Sequence, residues 1–316
     1  MHQRQQITAE LRGLIGAQHG IIRADQASAH GLGRSASTRL VTQGYWKRIT
    51  PGLFDASPLA DDFEKDAWAA LLGAGDRAAI GGEAALKLHG LNRRVDDGIE
   101  VWVPPGSQPG SFPGVRVRRD RAGRIPRARG LLTRISIEDA VIDVGQFLSE
   151  EALVGLISDA IRLRATTLGR IAEAVSQRTR VRGRRRFGVL LADLGGIEST
   201  LEYAYRRDVE RAPGLPVGQR NVSVSRGTRS DVFYSAFGVL VELDGRLGDE
   251  DAASAFRDLT RDNLHALGNK TTLRYGSPAV RGRPCEVAAQ VGHLLMEKGW
   301  PGPVQPCSRC RLVAPY

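Results

Sequence analysis

Asp231, Glu242 and Asp244 fall within one short stretch, Arg229 to Arg246, whose other residues are mostly apolar or small. Carboxylates on an otherwise apolar strand are costly to bury without a partner. A hard divalent cation such as Mg²⁺ takes oxygen ligands and is one reason to hold three such groups together. The alternative at this level is a strand edge whose acids point into water, with Asp244-Gly245 forming a turn.

The element that must position these acids is a β-hairpin. Apolar residues fill both arms, and Ser235-Ala-Phe-Gly238 marks the turn between them. Side chains alternate faces along a strand, so Leu240, Glu242 and Asp244 share one side and Val239, Val241 and Leu243 the other. Asp231, near the start of the first arm, then faces Glu242 and Asp244 across the pair.

Around the hairpin the motifs run in a recognisable order. Ser199-Thr-Leu-Glu202 opens a helix, Gly214-Leu-Pro216 follows, and Gln219 leads into a strand. After the hairpin come Arg257-Asp-Leu-Thr-Arg-Asp-Asn263 on a helix, Leu273-Arg-Tyr275 on a short strand, and a last helix ending at Lys298-Gly-Trp300. From Ser199 to Trp300 the chain resembles restriction-endonuclease-like domains related to very-short-patch-repair endonucleases, a PD-(D/E)XK nuclease group. The resemblance implies a mixed sheet flanked by helices with the acidic hairpin at its active edge. It implies Mg²⁺ or Mn²⁺ held by Asp231, Glu242 and Asp244, with Glu202 as a fourth catalytic acid. Gln219, Arg246, Arg257, Arg261 and Arg274 are the local candidates for phosphate or DNA contact; any one arginine alone reads more simply as surface charge.

Two departures stand out. Asp244 occupies the position that is lysine in many PD-(D/E)XK enzymes, which the very-short-patch-repair branch also lacks. Domains of this kind usually carry a histidine a few residues after the Asp-Gly, whereas this chain has Leu247-Gly-Asp-Glu250, and its nearest downstream histidine is His265. A general base is therefore not carried over.

The amino-terminal region has a second signature. Helical patterns cover Ile7 to Ala17, Ala24 to His30 (closed by Gly31) and Thr38 to Gln43, the last capped by Ser35 or Ser37. Tyr45-Trp-Lys-Arg-Ile-Thr-Pro-Gly-Leu-Phe54 reads as two strands joined at Pro51-Gly52. This segment resembles the winged helix-turn-helix of AbiEi-type antitoxins. The resemblance implies a third helix in the major groove and a wing on phosphate. Arg34, Ser37, Thr38 and Arg39 would then meet bases or backbone, and Lys47 and Arg48 phosphates. Trp46, Ile49, Leu53 and Phe54 read as core. A winged helix that binds protein is the competing idea.

Residues 59–177 continue the AbiEi-like pattern as an α/β region. It has a helix from Asp62 to Gly73, strands at Gly98 to Val103 and Gly114 to Arg118, and a capping box at Ser136-Ile-Glu-Asp139. Glu83 and Asp139 read as acids favoured at helix starts. The densest charge run, Arg178 to Arg186, reads as a solvated basic linker whose Arg184, Arg185 and Arg186 could lie along a DNA backbone.

Composition agrees with nucleic acid as a partner without proving it. Lys+Arg number 45 against 35 acids, a formal charge of +10, and only five of the cations are lysine. No apolar run approaches the ~20 residues of a membrane helix, and the first residues lack an apolar signal core. A cytoplasmic, membrane-free protein without a structural disulfide is expected. Cys307-Ser-Arg-Cys310 with Cys285 and either His293 or His265 could bind zinc, against a simpler reading as free thiols in a tail.

The expected class is α/β (α+β), in five segments: 1–58 winged helix, 59–177 α/β middle, 178–196 basic linker, 197–302 nuclease-like, and 303–316 a cysteine-bearing tail. The expected function is a Mg²⁺-dependent endonuclease acting on double-stranded DNA. The alternative is a DNA-binding regulator or antitoxin-like protein with a silent nuclease fold. A homodimer and a toxin partner are left open.

Overall fold

Why a chain of this pattern folds as it does is visible in a computed structural model, which describes residues 6–57, 62–110, 113–195, 199–225, 228–244 and 270–305. The chain divides into two units: Met1–Ser149 with Asp159–Arg184, and Glu150–Ser158 with Arg185–Tyr316. Both mix helices with small sheets, giving an α/β protein.

In the first unit, α1 (Ala9–Ala17) starts where the Thr8 hydroxyl accepts the Leu11 N–H, and it buries Leu11 and Ile15. β1 (Ile21–Arg23), α2 (Ala24–Ala29), α3 (Arg34–Thr42), β2 (Lys47–Thr50) and β3 (Leu53–Asp55) follow. The strands form an antiparallel sheet in the order β1-β3-β2. Leu11, Ile15, Ile22, Leu32, Trp46 and Phe54 make the core between helices and sheet. Leu53 is buried with them, whereas Ile49, expected in the core, is half-buried. The third helix begins at Arg34, four residues before its expected start, with Gly33 as its N-cap. Ser35 and Ser37 therefore lie inside the helix and cap nothing.

The same unit continues with α4 (Phe63–Ala74), β4 (Ala79–Ile80), α5 (Gly82–Leu88), β5 (Ile99–Val103) and β6 (Val115–Arg119). β5 is buried along its whole length, antiparallel to β4 and parallel to β6. α6 (Ile137–Gly145) opens on the expected cap, the Ser136 hydroxyl accepting the Asp139 N–H at 3.1 Å. α7 (Glu150–Arg162) runs through both units' residue ranges, and α8 (Leu168–Gln177) belongs to the first.

The second unit is built on a four-stranded mixed sheet. After α9 (Arg184–Asp193), α10 (Thr200–Ala204) continues as a π-helical stretch, Tyr205–Arg211. β7 (Gln219–Ser225), β8 (Thr228–Tyr234), β9 (Val239–Asp244) and β10 (Thr271–Gly276) lie in that spatial order. The first two pairings are antiparallel, and β9–β10 is parallel. α11 (Ser277–Gly282) and α12 (Pro284–Glu297) follow. One face of the sheet carries Val232, Tyr234, Val239, Val241 and Tyr275 into a core with Leu201, Tyr205, Val209, Val287, Val291 and Leu295. Arg246, Arg257, Arg261 and His265 lie outside the described residues, as do Cys307 and Cys310.

Candidate functional site

Strand register decides where the acids point. Val232 pairs with Val241 and Tyr234 with Val239, and all four face the core. Asp231, one residue before Val232, and Glu242, one after Val241, therefore share the opposite face. Asp244 repeats that face two residues further on. Leu243 packs against the core side, so the alternation expected of β9 is observed. Arg274 sits beside Glu242 in the parallel β9–β10 register.

Exposure grades along this row. Glu242 is buried, Asp231 half-buried and Asp244 exposed. The Asp231 carboxylate accepts the backbone N–H of Leu243 at 2.7 Å, a bond a carboxylate makes more strongly when ionised. The fourth acid, Glu202, is buried on α10, where the Ser199 hydroxyl accepts its backbone N–H. Asn221 on β7 donates its side-chain amide to Glu202 at 3.2 Å. Asn221 lies at the level of Asp231, between the pairs Arg220–Val232 and Val222–Ser230.

All four acids supply hard oxygen donors, which suits Mg²⁺ or Mn²⁺ in type. Among the described residues, however, no three His, Cys, Asp or Glu side chains converge as ligands of one ion. The donor type suits a divalent cation, but the described residues bring no three of these acids together around one. Zinc fits less well. Cys285 is disulfide-bonded, so its sulfur is no thiolate ligand, and the expected absence of a structural disulfide is corrected. His293 pairs with Glu297 on its own helix.

Behind the sheet lies a polar cluster that sequence reasoning missed. Tyr234 donates to Glu210 at 2.8 Å, Gly218 donates its N–H to the same carboxylate, and Arg220 pairs with it. Burial raises the Glu210 pKa, with Arg220, Tyr234 and Gly218 pulling against it. No spacing in the sequence announces this cluster, because its members meet only through the strand pairing.

The candidate nucleic-acid residues of the first unit divide differently than expected. Arg34 and Thr38 are exposed on α3, and the Thr38 hydroxyl donates to the Arg34 carbonyl at 2.9 Å. Arg39 is half-buried. Ser37 is only 3 % exposed, its hydroxyl turned to the Gly33 carbonyl, and it cannot meet a base from there. Ser37 lies beside Ala36 on the face of α3 that packs inward. Lys47 and Arg48 are exposed on β2, next to Tyr45, which is 71 % exposed. They open onto a cleft of about 1070 Å³ also lined by Lys87, Arg93, Arg94 and Asp96.

The basic run is not uniformly solvated. Arg178 is buried, bonded to Asp139 at 2.8 Å and Asp143 at 2.5 Å, while Arg124 and Arg127 reach the same two acids. Burial pushes the Asp139 carboxyl up, yet Arg127 and Arg178 outweigh it and hold the pKa below the ordinary value. Asp139 is thus more than a helix-start acid. Arg184 donates to the carbonyls of Val175 and Arg178, closing the end of α8, and Glu83 is held by Arg93. Arg185 is exposed and Arg186 half-buried. Gln219 and Arg274 are exposed on the second unit's sheet.

Among the described residues no helix is long and apolar enough to cross a membrane. Comparison with known proteins finds no family model that matches the chain and no curated protein that matches it. The two family resemblances therefore rest on the motifs quoted above.

Proposed function

We propose that this protein binds double-stranded DNA through a winged helix in its first unit and hydrolyses phosphodiester bonds with a divalent-metal site in its second. The single observation behind the hydrolytic half is the β8–β9 register that gives Asp231, Glu242 and Asp244 a common face away from the core. Glu202, tied to β7 through Asn221, is the fourth acid of this reading. Asp231, Glu242 and Asp244 would hold Mg²⁺ or Mn²⁺. Such an ion, when bound, offsets charge on the phosphoryl oxygens and lowers the pKa of an attacking water. Arg274, beside Glu242, is the described cation best placed in register to meet a phosphate.

The DNA-binding half is supported by the element order α1-β1-α2-α3-β2-β3 with its three-stranded antiparallel sheet. Exposed Arg34 and Thr38 on α3, and Lys47 and Arg48 on β2, occupy the positions such a reading needs.

A second reading has its own support. Asp231 is engaged with the Leu243 N–H, and the described acids form no three-ligand cluster. A DNA-binding regulator whose nuclease-like unit is silent accommodates both facts, as it does the absence of a histidine just after Asp244-Gly245.

Supercoiled plasmid incubated with and without Mg²⁺ or Mn²⁺, alongside Asp231→Ala and Glu242→Ala, separates the two. The hydrolytic reading expects metal-dependent nicking that both substitutions abolish. A gel shift with no nicking under any metal would leave the regulator.

A further inference from the structure

The cleft beside β2 draws cations from two places in the first unit. Lys47 and Arg48 come from β2, Lys87 from the last turn of α5, and Arg94 from the segment before β5. All four are exposed. Among the described residues neither Lys47 nor Arg48 makes an ion pair. Lys87 is held over the Phe63 ring, 4.2 Å from its centroid, a contact that fixes the ammonium without cancelling its charge. Arg94 meets only Asp96, at 3.9 Å, and the two side chains are 90 % and 76 % exposed. So exposed a pair contributes little and can give way to another anion.

The other charges of the cleft are neutralised within the protein. Lys65, which is buried, bonds Asp55 at 2.7 Å, and Arg93 bonds Glu83 at 2.6 Å. Asp62 caps α4 by accepting the Lys65 N–H at 2.7 Å and also meets His19, and Asp66 has a partner as well. The uncompensated charge is therefore basic and sits in water. A small anionic ligand is recognised by buried polar groups that converge on it, and the buried cation here is already paired. Exposed cations spread over two elements suit a long polyanion instead. Duplex DNA, with one charge per about 1.7 Å of axis, is such a ligand.

We propose that duplex DNA held at β2 continues along this cleft, so that Lys87 and Arg94 bind its backbone phosphates and the α/β region forms part of the DNA interface. This rests on the DNA-binding reading given above and is independent of the hydrolytic one.

The test titrates fluorophore-labelled double-stranded DNA with the full-length protein over a range of KCl concentrations, with affinity read by anisotropy. Lys87→Gln with Arg94→Gln should lower the slope of log affinity on log salt by about 2, at about 0.9 per phosphate. Arg94→Gln alone should lower it by about 1 and leave the thermal unfolding midpoint unchanged. An unchanged slope in the double variant, with the wild type still binding DNA, overturns the cleft path and leaves the wing reading intact. A slope lowered only in variants whose thermal midpoint also falls overturns it too, because Lys87 then acts through its contact with Phe63. Inorganic phosphate bound by the wild type and lost in the double variant, with the DNA slope unchanged, assigns the cleft to a small anion and overturns the proposal. A wild-type protein that binds no duplex overturns both readings.

Discussion

The Asp231 carboxylate accepts the Leu243 backbone N–H at 2.7 Å, so one acid of the candidate site also fastens the end of the β8–β9 pairing. Two roles in one side chain can be separated by chemistry. Asp231→Asn keeps an oxygen that accepts the N–H but removes the charge a cation needs. Its urea-unfolding free energy should stay within about 1 kcal/mol of wild type, while metal-dependent nicking disappears. Nicking at the wild-type rate in this variant would remove Asp231 from the metal set.

The Arg178 cluster should dominate the stability of the first unit. Removing one partner of a buried ion pair leaves an uncompensated charge, a loss of roughly 3–5 kcal/mol. Arg178→Ala leaves Asp139 to Arg127 and Asp143 to Arg124, so the loss should lie at the low end of that range. Urea unfolding should report a change of that size, and a change under 1 kcal/mol would show that the remaining arginines suffice.

Acid should unfold this unit through the same group. The Asp139 pKa is held below its ordinary value in the folded protein, against about 3.9 in an unfolded chain. Its stabilisation is therefore fully present above the unfolded pKa and is lost as pH falls through the folded one. Unfolding free energy measured from pH 6 down to pH 2 should decline below about pH 4, and Asp139→Asn should flatten that decline while lowering the plateau. An unchanged profile in Asp139→Asn would assign the acid sensitivity elsewhere.

Phosphate contacts by the β2 cations predict a salt signature. Each phosphate neutralised contributes about 0.9 to the slope of log affinity on log salt, so Lys47→Ala with Arg48→Ala should reduce it by about 2. Ser37→Ala, a buried position, should leave the slope alone. An unchanged slope in the double variant would move the DNA contact away from β2.

Tight packing around Gly218 gives a test of the second unit's core. A Cβ there would lie 2.3 Å from a Val232 methyl and 3.2 Å from the Glu210 carboxylate. Gly218→Ala should lower stability by about 1–3 kcal/mol, read by thermal or urea unfolding. A neutral result would mean that β7 shifts freely.

Legibility followed the range of the interactions. The alternation in β9 was readable because period two acts over a few residues and Val239, Val241 and Leu243 declare the core face. The strands at β5 and β6 were expected from the short runs at Gly98 to Val103 and Gly114 to Arg118, and those at β7 and β10 from the family resemblance. The start of α3 was not, because Gly33 caps without a side chain; Ser37, expected as a cap or base contact, lies on the buried face of the helix. Arg178 was misread because its partners lie 35 and 39 residues earlier, a distance no charge pattern encodes.

The Arg178 cluster also dictates how the protein can be dissected. A fragment ending at Gln177 would keep Asp139 with Arg127 and Asp143 with Arg124 but discard the guanidinium that spans both acids, and should unfold at lower urea than a longer one. Extending the same fragment past Arg184 retains that cation and the plug on the last turn of α8, and with them a self-sufficient end.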